Sequence, residues 1–297
     1  MVLVWGCALM GPRPAPEEPG TSREQAVRGS VHFEEGRLDR AERDFKAAFR
    51  ADEAEGRFHA LARDYLNLAA LASRRGRSAE ALGYLERAAD IQRRDDDAAG
   101  LAETLAAMAA VQNMAGSGLE AGRLRDEALR LCPARAETRV YVLNVKGAHL
   151  IGTGDFRGAE VVLKKALVLA PEVPDARRRA ATLHYLGRCA RGLGRPGEAG
   201  RLLGDALKLD QEGDYPAGVA SDLQELAEVA AAQEGGCGEA LLLFEQAFDV
   251  CLHLKDTPRA RRILTRLEDM ARAAHKDRDL AQLRDALRRT EEEASSG

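Results

Sequence analysis

The chain has 297 residues, of which 45% are hydrophobic, 31% charged and only 4% aromatic, with a formal net charge of −4. That mixture can bury a core and is too apolar for a disordered chain. Its Ala, Leu, Arg and Glu richness favours helix over strand, so an all-α fold is expected. The mild acidity lacks the basic bias of a nucleic-acid binder, and no apolar run is long enough for a transmembrane span. The five cysteines (Cys7, Cys132, Cys189, Cys237, Cys251) form no CxxC, and no histidine lies at metal spacing from a cysteine pair. Zinc is therefore not expected, and the odd, irregular set is no disulfide framework. Cys132, Cys189 and Cys251 fall in helical patterns and read as small buried thiols.

The chain opens on MVLVWGCALMGPRPAPEEPG, in which a few apolar residues and a Gly-Cys precede a Pro-rich polar stretch. Val4-Trp5-Gly6-Cys7 resembles the end of a bacterial lipoprotein signal, where a small residue precedes the lipid-bearing cysteine. Such a signal needs a basic start and an apolar stretch of about 7–15 residues, yet only Val2 to Trp5 precede Gly6. Two readings stand. Either Cys7 is a lipid anchor on a Pro-rich tether and the true start lies upstream, or residues 1–20 are a disordered N-terminal segment. They place the protein at a membrane through its lipid or in the cytoplasm. The Ala, Arg and Glu bias with few Lys suggests a high-GC bacterial genome.

From Thr21 the pattern turns helical, with Thr21 and Glu24 spaced as a capping box. One phrase then recurs: GRLDRAERDFKAAFR from Gly36, GRSAEALGYLERAAD from Gly76, GSGLEAGRLRDEALRL from Gly116, GDFRGAEVVLKKALVLAP from Gly154, GRPGEAGRLLGDALKLD from Gly194 and GGCGEALLLFEQAFDV from Gly235. Its anchor alanines are Ala41, Ala81, Ala121, Ala159, Ala199 and Ala240, spaced 40, 40, 38, 40 and 41 residues apart. Seven residues after each stands Ala48, Ala88, Ala128, Ala166, Ala206 or Ala247. At offset four stand Phe45, Leu85, Arg125, Leu163, Leu203 and Phe244, with Arg125 the misfit. Small, large and small residues at these offsets share one stripe of a helix, which admits a tightly packed neighbour.

A second helix precedes each phrase. Twelve residues before the first five anchors stand Gly29, Ala69, Ala109, Gly147 and Gly187, and a turn one residue longer puts Ala227 there in the sixth copy. Four residues earlier stand Gln25, Tyr65, Leu105, Leu143, Leu183 and Leu223. Gly36, Gly76, Gly116, Gly154 and Gly194 between the two helices suit left-handed helix ends. Pro174, Pro196, Pro216 and Pro258 suit first turns, with Thr257 as an N-cap. The run Asp95-Asp96-Asp97 reads as a solvated helix junction or, less simply, as a metal site. A degenerate last pair follows, in which Ala281 keeps the period but Asp285 and Arg288 replace the apolar and small residues. A polar outer face is what a solenoid's terminal unit needs.

This pattern resembles the tetratricopeptide repeat family, over roughly Thr21 to Leu254 for the six clear copies. The usual period is 34; a period near 40 implies longer helices or longer junctions. The domain plan is thus a disordered segment over 1–20, a solenoid over 21–290 with six repeats and a seventh capping pair, and a disordered tail over 291–297. The resemblance implies a right-handed α-solenoid whose first helices line a concave groove. Family geometry puts Arg63, Leu66, Asn113, Tyr141, Asn144, His184, Arg188 and Arg191 on that face. The last three share one helical face and offer two readings: a basic pocket for a carboxylate or acidic segment, or cations paired with acidic residues on adjacent helices. The chaperone-binding branch of the family uses Lys and Asn at places that here hold Ala26, Ser30, Leu66 and Ala70, so that docking mode is not expected.

Nothing points to catalysis. His32, His59, His149, His184, His253 and His275 are scattered, and no HExxH, GxSxG, GxxxxGK[ST] or GxGxxG occurs. GTGDF at Gly152 lacks a phosphate-loop lysine and reads as an inter-helix turn. No cofactor and no metal are expected. The resemblance implies a protein–protein interaction scaffold or adaptor that binds a partner peptide or helix. The alternatives are a self-assembling structural protein and a ligand-receiving regulatory protein.

Overall fold

The structure is a computed structural model that describes residues 21–132, 136–173, 175–273 and 280–296. Its regular elements, among the described residues, are helical. Six antiparallel pairs follow one another: α1 (Ser22–Glu34) with α2 (Leu38–Ala54), α3 (Phe58–Arg74) with α4 (Ser78–Arg94), and α5 (Ala98–Met114) with α6 (Gly118–Leu131). Then come α7 (Ala136–Gly152) with α8 (Phe156–Leu169), α9 (Ala176–Gly192) with α10 (Pro196–Glu212), and α11 (Pro216–Ala231) with α12 (Cys237–His253). A last pair, α13 (Thr257–Ala273) and α14 (Ala281–Ser296), ends the stack. Helix α14 runs to Ser296, past the end expected at 290, and Arg261 on α13 pairs with Glu291 on it.

The long period comes from the helices. α3 and α4 are 17 residues each, and three-residue turns join them to each other and to α5. A 17-residue helix is nearly five turns. The anchor stripe lies where the repeat demands: all twelve alanines at offsets zero and seven are 0% exposed. The large residue at offset four fills the hollow left by the small residue on the preceding helix. A Cβ added to Gly29 would sit 2.5 Å from Phe45 Cδ1, at Gly147 2.4 Å from Leu163 Cδ2, and at Gly187 2.6 Å from Leu203 Cγ. At these three repeats an added methyl would force the large residue to shift, whereas Ala69, Ala109 and Ala227 fill the same place in the others.

The turns explain the punctuation. Within each of the first five pairs, the turn glycine has positive φ (Gly36 +74°, Gly76 +74°, Gly116 +84°, Gly154 +83°, Gly194 +72°). A bond reaching back five residues closes each, as from Arg37 N to His32 O at 2.8 Å. Between repeats the same bend is taken by Gly56, Asp96, Asp214 and Lys255. Thr21 caps α1 through Glu24 N at 3.4 Å. Pro196 and Pro216 open α10 and α11, while Pro174 lies outside the described residues. The cap of α13 is Asp256 rather than Thr257: its carboxylate accepts from Arg259 N at 3.2 Å, and Thr257 is already the first helical residue. In the acidic run, Asp95 pairs with His59, Asp96 supplies the bend, and Asp97 caps α5 through Gly100 N at 2.9 Å. Asp155 caps α8 the same way, at 2.8 Å from Gly158 N, so GTGDF is an inter-helix turn.

Arg125 is the exception the repeat flagged. It is 9% exposed, and its Nε has no hydrogen-bond partner. Burial depresses its pKa, with Asp126 opposing that shift. Leu124 is buried beside it. Arg125→Leu restores the residue type of the neighbouring repeats and removes an unsatisfied buried donor. We expect it to raise stability by about 1–2 kcal/mol, read as a higher thermal midpoint. A lowered midpoint would show that the guanidinium is stabilising where it lies.

Candidate functional site

The odd-numbered helices form the inner layer. α1 packs on α3, α5 on α7, α7 on α9 and α9 on α11. In the middle of the stack this layer curves tightly enough for side chains two repeats apart to meet. Arg178, 3% exposed at the start of α9, reaches Glu103 Oε1 on α5 at 3.2 Å and lies 3.7 Å from Glu137 Oε1 on α7. Its guanidinium also sits 5.3 Å over the Tyr141 ring. Burial pushes the Glu103 carboxyl up, against the pull of Arg178.

The groove residues expected from the sequence separate into two groups. Tyr141, Asn144 and His184 are on inner helices but buried. Asn144 donates to Arg178 O at 3.1 Å and accepts from Thr182 Oγ1 at 2.9 Å. His184 Nδ1 lies 2.6 Å from Asp222 Oδ1 on α11. These three are thus engaged in holding successive inner helices together. Arg63 is exposed and Leu66 half-buried on α3; Asn113 on α5 contacts His149 Nδ1 on α7 at 3.0 Å. Arg188 and Arg191 both stand 3.0 Å from Glu225 on α11, one at each carboxylate oxygen. The cations are therefore paired with an adjacent helix, yet two guanidiniums share one carboxylate and the stripe stays net positive. Cys7 lies outside the described residues.

A feature the sequence reading passed over is a set of buried acids. Asp52 and Asp64 are 4% and 2% exposed where α2 meets α3; Asp210 and Asp222 are 5% and 1% exposed where α10 meets α11. In each pair the two carboxyls face each other across the helix junction. Burial raises Asp64 to about 7 and Asp210 to about 8, with the partner carboxylate adding to both shifts. Gln92 and Thr104, bonded at 2.7 Å, hold the same places where α4 meets α5. The signal was available: Asp52, Gln92 and Asp210 all stand eleven residues after an anchor alanine, and each partner twelve residues later.

Cys132, Cys189 and Cys251 are buried and unlinked, and burial pushes the Cys189 thiol up to about 12 and Cys251 to about 11. Such thiols are unreactive packing residues. Among the described residues, no group of acids, histidines and cysteines is arranged to hold a metal ion, and no helix is long and apolar enough to cross a membrane.

Compared with known proteins, residues 25–94 match the family model described as tetratricopeptide repeat. No curated protein matches the chain in sequence. Among solved structures, it is similar to a signal transduction ATPase with numerous domains from Pyrococcus horikoshii, which carries a tetratricopeptide repeat sensor. The identity is 15% and the TM-score 0.56, over 90% of this chain and 40% of that one. It is similar to the APC/C hetero-tetramer Cut9–Hcn1 at 17% identity and TM-score 0.55, over 84% of this chain and 43% of that one. It is also similar to a Rap protein complexed with competence and sporulation factor, at 14% identity and TM-score 0.56, over 93% of this chain and 99% of that one. The chain thus spans less than half the length of the first two.

Proposed function

From a chain that carries tetratricopeptide repeats over 25–94 and folds throughout its described length as a tetratricopeptide-repeat solenoid, we infer a protein-interaction scaffold that takes a partner's peptide or helix on its inner face. The observation that carries this reading is the Arg188, Arg191 and Glu225 cluster. It is a preformed cationic stripe with one carboxylate for two guanidiniums. A carboxylate from an acidic segment of the partner completes it with charge-assisted, bidentate geometry. The inner face is held by packed helices, so little ordering opposes binding. The Rap protein of similar fold and nearly equal length was solved with a factor bound, which supports a binding role for a solenoid of this size. Catalysis has no support in the arrangement: the buried acids and His184 are engaged in helix contacts.

The test pairs crosslinking with mutation. A photoreactive residue at Arg63, on the inner layer, is compared with one at Leu242, 59% exposed on α12 of the outer layer. We expect a partner to be captured from position 63 and not from 242. We further expect Arg188→Ala/Arg191→Ala to weaken that partner's binding at least tenfold, as loss of charge-assisted contacts would. Capture only from position 242, or unchanged affinity in the double variant, would sink the reading.

A further inference from the structure

Solenoid repeats contact only their sequence neighbours, but here the first repeat touches the fifth and sixth. Glu34, the last residue of α1, accepts from Arg177 Nη1 at the start of α9 at 2.5 Å, across 143 residues. The two side chains are 21% and 17% exposed, so the pair is largely shielded from solvent. Two residues on, the Gly36 backbone lies against the turn after α12: a Cβ at Gly36 would stand 1.8 Å from Leu254 O. Arg74, at the end of α3, lies over the Phe33 ring at 5.5 Å and near enough to Cys251 and Arg259 to act on their ionisation. Three observations thus bring one edge of the first two repeats against the far end of the stack.

We propose that this contact is a latch: the first repeat seats on the fifth and sixth through Glu34–Arg177 and Gly36–Leu254, closes the superhelix on itself, and parts to open the inner face. That the latch admits a partner rests on the groove reading above; that it closes the chain does not. The chemistry suits reversible closure. One shielded ion pair and one backbone contact form a small interface, weakened by salt where the pair meets solvent. Gly36 is specifically required because only glycine lets the two turns approach.

The experiment uses the whole chain without partner. Small-angle scattering reads the radius of gyration, and amide exchange reads α1 and the turn around Leu254. Glu34→Arg and Arg177→Glu should each enlarge the radius by a few ångströms and speed exchange at both places. The charge-swapped double variant should reverse both effects. Gly36→Ala should also open the chain, whereas Gly76→Ala should not. Gly76 has the same φ of +74° and nothing within 4 Å of an added Cβ, so it shares the backbone strain without the contact. An unchanged radius in all the single variants, no reversal by the swap, or equal opening in Gly76→Ala would overturn the latch. An opened chain whose association rate with the captured partner does not rise severalfold would overturn the gating alone.

Discussion

Phe244→Ala is expected to cost about 3–5 kcal/mol, the range for removing a fully buried aromatic ring from a core that cannot collapse around the loss. The side chain is 1% exposed and sits among Ala227, Ala240, Ala247, Phe248, Ile263 and Leu267, all 0–1% exposed. It is the large residue of the sixth repeat's stripe, and the last two helix pairs share its core. Because repeats support only their neighbours, the loss should be local. Amide exchange should rise across α11 to α14 and stay near its native level in α3 to α6. Chemical denaturation should show a first transition displaced to lower denaturant. A uniform rise across all repeats would show instead that the solenoid unfolds as one unit, which the latch between its ends would promote.

Most of this architecture was legible because it repeats. Ala41 alone says nothing, but Ala41, Ala81, Ala121, Ala159, Ala199 and Ala240 in register say that two helices must approach closely there. Gly76 and its counterparts were legible for the same reason, since only a left-handed bend explains a glycine at a fixed distance before each anchor. The N-cap of α13 was missed by one residue because Asp256 and Thr257 are both good caps and only backbone geometry chooses between them. The inner face was less legible. Family geometry places Tyr141, Asn144 and His184 on the inner helices, but the space beside them depends on how tightly those helices pack. Arg178, which spans α5, α7 and α9, fills it beside Tyr141 and Asn144, and Asp222 fills it beside His184. The buried acids were passed over because carboxylates read as solvated helix faces until a partner is seen across the interface. The latch has no sequence signature at all. It depends on small rotations accumulated over several repeats, which no local pattern encodes.

The buried acid pairs give the chain a pH dependence opposite in sign to that of ordinary salt-bridged carboxylates. Asp64 faces Asp52 on α2, with Arg57 and Arg63 near it. Asp210 faces Asp222 on α11, with Arg177 and Asp175 near it. Asp222 in turn faces His184 on α9, Glu225 on its own helix and Arg259 on α13. Two ionised carboxylates cannot share such a site, so each pair holds a proton. The folded-state values, about 7 for Asp64 and about 8 for Asp210, lie above the unfolded value of 3.8. Between these limits the folded chain binds more protons than the unfolded one, so stability falls as pH rises. The stabilisation is complete below about 4 and lost as pH passes through 7 to 8. Glu160 runs the other way: hydrogen bonds from Arg195 and Lys164 hold it at about 2, below its unfolded 4.5, so its contribution is lost in acid. Stability should therefore peak near pH 4 and fall by at least about 2 kcal/mol by pH 9, with slopes up to roughly 1.4 kcal/mol per unit for each group. Amide exchange should locate the weakening at the junctions of α2 with α3 and α10 with α11. Asp210→Asn, whose amide can donate to Asp222 without titrating, should reduce the alkaline limb to the share that Asp64 contributes and leave the acid limb in place. A profile that is level from pH 5 to 9, or one that Asp210→Asn leaves unaltered, would show that the pairs do not share a proton. The conserved geometry of the junction explains why the alkaline limb should be local: the same place between α4 and α5 holds the neutral Gln92–Thr104 pair, which has no proton to lose.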